Sequence, residues 1–557
     1  MRIKDEIHRE YARWLEEAKD PELKARLREL DDAGIEDAFY QDLAFGTAGL
    51  RGVMDAGTNR MNRYTVAKAS QGLANYLKGR YADPSVAVAY DSRKQSEQFA
   101  RIACEVFAAN GIRVHLYREL MPTPCLSWAV RSLGCSAGVM VTASHNPAQY
   151  NGYKVYGPDG CQITTRAAED ILGEIRGLDL FRDVRTMDFH EALDSGRVRF
   201  IPGETEDAFN ARVLELSVLY GDRVRRDAAI VYSPLNGTGR KPVLRALRES
   251  GFTNVTVVKE QELPDGDFPT CPYPNPEIRE AMALGLEYCE RLGADLLLAT
   301  DPDCDRCGIA VRAGEEYRLL TGNEVGLLLL DFICAQRQRH GKMPADPVFV
   351  KTIVTTDLAE KIAAHYGVRT VNVLTGFKFI GEVIGRLEAE GRADSFLLGF
   401  EESYGYLTGP YVRDKDAVDA ALMICEMFAW YKSRGSSLPE RLEELYQTYG
   451  YCLNTVYSFS FPGSAGMEEM AKKMEEFRRG QDAWGGERVE KTLDYGGGLD
   501  GLPPAEVVKY FTPSASVVIR PSGTEPKLKA YISVTAPDLT AARALELRIA
   551  EEVKAKI

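Results

Sequence analysis

The chain has 557 residues, several times what one hydrophobic core serves, so about three to five domains are expected. Hydrophobic residues at 45% and charged residues at 27% match ordinary globular enzymes, and no apolar run approaches the roughly 20 residues of a membrane helix, which excludes a membrane partner. The formal net charge of −13 repels nucleic acid, so an anionic ligand has to be caught by local clusters of Lys, Arg and backbone N–H groups.

Met1 to Glu10 mixes both charges and lacks the apolar stretch of a secretory signal. The spacing of Ile7, Tyr11, Trp14, Leu15 and Ala18 predicts an amphipathic helix. Next come strand Val86–Tyr90, a helix from Ser96 to Asn110 closed by Gly111, and strand Ile112–Tyr117. Thr123 as N-cap with Pro124 at the first helical position opens a further helix, and strand Ala137–Val141 follows. A second copy of this alternation runs through strand Ala228–Tyr232, helix Arg240–Gly251, strand Asn254–Val258, helix Glu280–Leu292 and strand Asp295–Ala299. A third uses strand Pro347–Ile353, helix Leu358–Gly367, strand Thr370–Leu374, helix Lys378–Gly391 and strand Ser395–Gly399. Strands alternating with helices predict α/β layers, and each copy ends on a polar loop at a strand's carboxyl end, where open α/β sheets bind ligands. From about Ser437 the pattern changes to α+β: a helix, the alternating strand Cys452–Phe459, helix Met467–Arg479, two strands flanking a loop at Arg520, and a closing helix. The glycine-rich Asp494–Leu502 reads as a loop inside this last unit. The eleven cysteines, an odd count scattered along a large chain, fit reduced thiols and a cytoplasmic location.

The first polar loop, Val141-Thr142-Ala143-Ser144-His145-Asn146-Pro147, sets a hydroxyl nucleophile beside a histidine at a strand end. A turn serine capping the next segment is the alternative. The small Thr142 and Ala143 leave backbone N–H groups open to a phosphate, and Asn146-Pro147 forces a turn. In the second loop, Asp301, Asp303 and Asp305 can turn three carboxylates toward one cation, an all-oxygen set suited to Mg²⁺. A solvated acidic turn is the alternative. Calcium of the EF-hand kind is disfavoured, since no Gly stands at the sixth loop position and no Glu at the twelfth. Arg306 follows as a neutraliser of phosphate charge, while Cys304 and Cys307 form a C-x-x-C pattern without the second pair or His that zinc needs. Glu401, Glu402 and Ser403 offer partners for vicinal sugar hydroxyls; adjacent carboxylates in an extended segment face opposite ways and suit glycosidase chemistry poorly. The fourth loop, Arg520-Pro521-Ser522-Gly523-Thr524-Glu525-Pro526-Lys527, reads as a nest for a phosphate dianion, with a plain basic hairpin as the alternative.

Taken together and in this order, the four loops make the chain resemble the α-D-phosphohexomutase superfamily, most closely its bacterial α-phosphoglucomutase branch, over nearly the whole sequence. The resemblance implies three related mixed α/β domains plus a smaller α+β C-terminal domain around one cleft, with boundaries at 1–203, 204–318, 319–440 and 441–557. It implies that Ser144 carries a phosphoryl group and, through a phosphoserine oxygen, joins Asp301, Asp303 and Asp305 around Mg²⁺. It further implies that His145 helps hold the phosphate, that Arg51 in Phe45–Gly52 faces the phosphoserine, and that Lys154 is a general acid/base. Nearby cations are expected to lower the Lys154 pKa. Substrate contacts fall to Arg306, Lys378, Glu401, Ser403, Arg520, Ser522, Gly523, Thr524 and Lys527. From sequence alone, Arg51, Lys154 and Lys378 read equally well as solvated surface charges. The implied reaction interconverts α-D-glucose 1-phosphate and glucose 6-phosphate, with glucose 1,6-bisphosphate as intermediate and activator and a small phosphosugar as the partner. Phosphomannomutase and phosphopentomutase activities stay open, as do, more remotely, a metal-dependent phosphatase and a non-catalytic sugar-phosphate sensor. Monomer and homodimer are both compatible with the sequence.

Overall fold

The computed structural model describes residues 2–46, 49–461, 463–522 and 526–557, with the side chains of 463–465 left aside. The chain folds as two compact units: residues 1–320 with 380–396 and 405–429, and residues 321–379, 397–404 and 430–557. Among the described residues no helix is long and apolar enough to cross a membrane.

The first unit opens with the amphipathic helix Lys4–Glu17, which buries Ile7 and Trp14 against Leu27 and Phe39. At about 25 cal/mol/Å² over 150–250 Å², a buried indole such as that of Trp14 contributes about 4–6 kcal/mol at most. Seven strands then form one sheet: β1 (Phe45–Gly46), β2 (Gly49–Val53), β3 (Ser85–Tyr90), β4 (Arg113–Leu116), β5 (Ala137–Val141), β6 (Tyr150–Tyr156) and β7 (Val198–Phe200), in the order β1-β2-β6-β5-β3-β4-β7. The β3 and β5 side chains are buried throughout, as expected of central parallel strands covered on both faces. The second sheet contains β8 (Ile230–Ser233), β9 (Val255–Val257), β10 (Leu296–Thr300), β11 (Cys307–Ala313) and β12 (Glu316–Leu320), in the order β12-β11-β10-β8-β9.

In the second unit, β13 (Val348–Thr352) pairs in parallel with β14 (Arg369–Val373) and is flanked on its other side by β15 (Phe396–Glu401). The short strand β16 (Gly405–Leu407) belongs to the first unit. The C-terminal part carries β17 (Tyr451–Ser460), a two-stranded hairpin of β18 (Ala483–Trp484) and β19 (Glu487–Arg488), then β20 (Lys491–Asp494), β21 (Val508–Phe511), β22 (Ala515–Pro521) and β23 (Lys527–Ala536). Its five-stranded sheet runs β17-β23-β22-β21-β20, antiparallel throughout, over a core of Trp484, Phe477, Met474, Ile549 and Val553.

The expected threefold repetition is present in the sheet orders. In each α/β layer the first strand of the copy lies between the third and the second: β5-β3-β4, β10-β8-β9 and β15-β13-β14. Antiparallel strands missing from the sequence reading, β6 beside β5 and β11 beside β10, make the first two sheets mixed. Two local expectations are corrected. Helix Thr123–Ser132 begins at Thr123 itself, with Pro122 before it and no side-chain cap. The Thr123 hydroxyl is drawn off by a stronger acceptor, donating to the Asp303 carboxylate at 2.9 Å. Glu401 is the last residue of β15 rather than part of the loop beyond it.

Candidate active site

Two neighbouring parallel strands of the first unit build the serine loop. The register pairs Tyr90 with Val141, so Asp91 and Thr142 emerge side by side, and the Thr142 hydroxyl donates to Asp91 at 2.6 Å. Thr142 Oγ1 in turn accepts the Ser144 N–H at 2.8 Å. Ser144 sits at φ +51° with 4% of its surface exposed, a left-handed conformation that a non-glycine residue holds only where its surroundings impose it. Gly152 makes the close approach possible: a Cβ there would lie 2.3 Å from the Thr142 carbonyl oxygen.

This geometry aims the Ser144 hydroxyl at the aspartate loop, where it donates to Asp301 Oδ2 at 2.9 Å and lies 3.2 Å from His145 Nδ1. Burial, with Arg306 and Arg51 close by, holds the His145 pKa well below the ordinary imidazole value, so the ring is a neutral hydrogen-bonding group at physiological pH. Arg51 is half-buried and donates to Asn146 Oδ1 at 3.1 Å.

Asp301, Asp303 and Asp305 are all buried, with one oxygen from each lying within 4.8 Å of the others. Asp301 Oδ1 accepts the backbone N–H groups of Asp305 and Arg306, both at 3.0 Å, leaving Oδ2 toward Ser144. Asp303 Oδ1 and Asp305 Oδ1 are buried and accept no hydrogen bond among the described residues. Burial and the neighbouring Asp305 and Asp303 push the Asp301 carboxyl well above its usual range. Burial favours the neutral acid at Asp303 too, but the Lys154 ammonium outweighs it and draws that carboxyl below the usual range. Orphaned oxygens, an all-oxygen donor set and crowded anionic charge fit a hard divalent cation, so the triad can hold a metal ion. Cys304 adopts φ +52°, a left-handed conformation unusual for a residue with a Cβ, and its N–H donates to the Asp301 carbonyl at 2.9 Å. Burial raises the Cys304 and Cys307 thiols, opposite to what thiolate ligands need.

Lys154 is 8% exposed, which rules out a solvated surface charge; its Nζ lies 2.9 Å from Asp303 and 3.7 Å from Asp305. The expected pKa lowering is corrected. Burial does act in that direction, but the two carboxylates outweigh it and raise the value. Arg306 pairs with Glu277 at 2.5 Å. Sequence reasoning passed over three partners in this unit. Lys415 reaches Asp305 at 2.9 Å and Asp414 at 3.4 Å, while Asp414 accepts from Tyr156 at 2.7 Å and Gln162 at 2.8 Å. The others are Thr123, read as a helix cap, and Arg93, whose guanidinium underlies the serine loop. The signal for Lys415 was the charged run Arg413-Asp414-Lys415-Asp416. For Arg93 it was Asp91-Ser92-Arg93, polar residues at the end of a buried strand.

The other expected residues that the structure describes lie in the second unit. Glu401 is buried and accepts the Gly376 N–H at 2.9 Å, and Glu402 accepts from the Thr355 hydroxyl at 3.2 Å. The two carboxylates therefore have different partners, as expected for neighbours on an extended segment. Ser403 is half-buried beside them. Lys378 is 9% exposed, with Nζ 5.1 Å from the Phe379 ring centre, so it too is no solvated surface charge. Arg520 donates to the Tyr531 hydroxyl at 3.1 Å, and the Ser522 N–H to the Lys527 carbonyl at 2.7 Å. Burial with the nearby Glu402 pushes the Tyr531 phenol up to about 12, which puts the glutamate segment and the Arg520 strand in one electrostatic neighbourhood. Gly523 and Thr524 lie outside the described residues.

A buried serine hydroxyl bonded to a buried acidic triad that can hold a metal ion thus stands on layered α/β sheets, in a chain that ends in an antiparallel sheet. Profiles of "Phosphoglucomutase/phosphomannomutase" match four successive pieces: α/β/α domain I over residues 42–180, domain II over 207–314, domain III over 321–449 and the C-terminal domain over 466–552. A phosphoglucomutase of Staphylococcus saprophyticus subsp. saprophyticus is 34% identical over 543 residues, covering 94% of this chain and 96% of the relative. A phosphoglucomutase of Staphylococcus haemolyticus is 35% identical over 524 residues, 90% and 91% of the two chains. The solved structure of parafusin (phosphoglucomutase) from Paramecium shares the fold at a TM-score of 0.69 and 19% identity, covering 93% of this chain and 94% of that one. The chain belongs to the phosphoglucomutase/phosphomannomutase family.

Proposed function

We propose that this enzyme interconverts α-D-glucose 1-phosphate and glucose 6-phosphate through phosphorylated Ser144. The observation that carries the reading is the Ser144 hydroxyl, held at 2.9 Å from Asp301 within the buried acidic triad. The phosphoglucomutase relatives, alike over nearly their full length, support glucose as the sugar. Phosphoserine gives its phosphoryl group to the free sugar hydroxyl, which loses its proton; Ser144 Oγ, released from phosphorus, takes one up. The resulting glucose 1,6-bisphosphate then returns its other phosphate to Ser144. Lys154 Nζ, between Asp303 and Asp305, is our candidate proton carrier, with Lys415 beside it in the same ion-pair cluster. Neutral His145 and cationic Arg51 hold the phosphoryl oxygens.

Asp301, Asp303 and Asp305, completed by a phosphoserine oxygen, would hold Mg²⁺, which when bound stabilises negative charge on the transferring group. Lys378, Glu401 and Ser403 are assigned to the sugar, and Arg306, Arg520, Ser522, Gly523, Thr524 and Lys527 to its phosphates, on the family resemblance. The same resemblance supports four domains at 1–203, 204–318, 319–440 and 441–557. Eleven free, buried cysteines support a cytoplasmic location.

Coupled initial rates with glucose, mannose and ribose 1-phosphates, joined to intact-mass analysis, test the reading. Glucose 1-phosphate should be turned over fastest, and a subpopulation heavier by one phosphoryl group should map to Ser144. Ser144→Ala should lose both turnover and the heavier species while staying folded. Near wild-type turnover in that variant would end the phosphoserine mechanism, and faster turnover of mannose or ribose 1-phosphate would overturn the assignment of glucose.

A further inference from the structure

Arg93 follows β3 by three residues and is 3% exposed, yet no part of the reaction scheme uses it. Its guanidinium is spent on the serine loop. Nη2 donates to the Ser144 carbonyl at 2.5 Å and also to the Asn146 carbonyl; Nη1 donates to the carbonyls of Pro147 at 2.9 Å and Tyr150 at 3.1 Å. On its other edge Nε lies 3.4 Å from Asp91 Oδ2, the oxygen that accepts from Thr142, while Asp91 Oδ1 accepts the Arg93 N–H at 3.0 Å and the Ser96 hydroxyl at 2.7 Å. The Phe268 ring closes one face at 5.1 Å. A planar fork with four loop carbonyls on it fixes where those carbonyls point, which a single ammonium cannot do.

We propose that Arg93 is the positioning residue of the phosphoserine loop. By gathering the carbonyls of Ser144, Asn146, Pro147 and Tyr150 on one buried guanidinium anchored by Asp91, it imposes the left-handed backbone that aims Ser144 Oγ at the metal triad. The four carbonyls are thereby committed to Arg93. Arg93 acts through Ser144 and has no contact with the sugar or the second phosphate. The inference rests on the phosphoserine reading above.

The test uses the full chain carrying Arg93→Lys or Arg93→Ala. Read-outs are phosphorylation of Ser144 by glucose 1,6-bisphosphate, followed by intact mass, and steady-state kcat and KM for glucose 1-phosphate. Losing charge-assisted contacts to the loop should lower both kcat and the phosphorylation rate about ten- to a hundredfold, with KM held within about twofold. Millimolar guanidinium should restore part of the Arg93→Ala loss, because a free guanidinium can enter the emptied site. If Arg93→Ala does not fold, the split between kcat and KM in Arg93→Lys decides. Phosphorylation at the wild-type rate in a folded variant overturns the inference, as does a rise in KM that accounts for the whole loss, or the absence of guanidinium rescue in folded Arg93→Ala. Failure of wild-type Ser144 to take up phosphate would instead defeat the functional reading itself.

Discussion

Asp419 links the pH dependence of stability to the mount of the active site. It is buried in helix Ala417–Lys432, with Oδ1 accepting the Thr408 hydroxyl at 2.6 Å and Oδ2 the Thr408 N–H at 2.7 Å. Burial, with Asp416 nearby, pushes its carboxyl up to about 8 from an ordinary 3.8. The native state therefore keeps a proton that the unfolded chain gives up near pH 4. A carboxyl raised in the folded state contributes stability that is complete below the unfolded value and fades as pH rises through the folded one. The slope between the two is a loss of about 1.4 kcal/mol per pH unit, so pH 6 to 8 removes about 2 kcal/mol through this group. Asp419→Asn replaces the carboxyl with a neutral amide of the same shape, whose oxygen can accept the Thr408 N–H while its NH₂ donates to the hydroxyl. Scanning calorimetry at pH 6 and pH 8 should show the wild-type transition falling by about 2–3 °C more than the variant's, at roughly 1–1.5 °C per kcal/mol for a unit of about 360 residues. The variant curve keeps some slope, since burial also raises Glu426, to about 7. Parallel curves for the two proteins would show that Asp419 is ionised in the native state and refute the argument. The consequence reaches the site because this helix begins beside Lys415, the partner of Asp305, and its Ala417 N–H donates to the Cys304 carbonyl at 3.2 Å.

Further outcomes are expected at the other loops. Asp303→Asn should weaken divalent-metal binding, read by titration calorimetry, by more than the roughly ten- to hundredfold typical of outer-shell partners, with a matching fall in kcat. Cys304→Ala with Cys307→Ala should leave metal affinity unchanged; zinc recovered from the native protein and lost from this double variant would contradict the carboxylate assignment. Arg520→Ala should raise KM for both glucose monophosphates about ten- to a hundredfold through loss of a charged contact worth about 1.5–3 kcal/mol, and should increase the requirement for added glucose 1,6-bisphosphate. Unchanged KM and bisphosphate requirement would remove Arg520 from the phosphate site.

What the sequence disclosed follows from how local each signal is. The alternation of apolar runs with helical periods exposed three α/β copies because each strand and helix announces itself within ten to fifteen residues. Ser144 and the three aspartates were legible for the same reason: their chemistry lies in a short segment just past a buried strand. Lys415 and Arg93 were not, because each acquires its role from residues 110 and about 50 positions away, Asp305 and the carbonyls after Ser144. Thr123 shows the same limit from the other side. Thr followed by Pro is a sound helix-start signature, and the helix does start there, yet the hydroxyl goes to Asp303, 180 residues downstream. A local rule can state which group is available, while the long-range acceptor decides where it is used.

The sign of the Lys154 shift makes the point in electrostatics. Near other cations a lysine is expected to lose its proton more easily. In the structure the nearest charges are carboxylates at 2.9 and 3.7 Å, and they outweigh burial, so the ammonium is favoured. Lys154 takes the Oδ2 atoms of Asp303 and Asp305, and the orphaned Oδ1 atoms of the same two carboxylates are the ones left for a divalent cation.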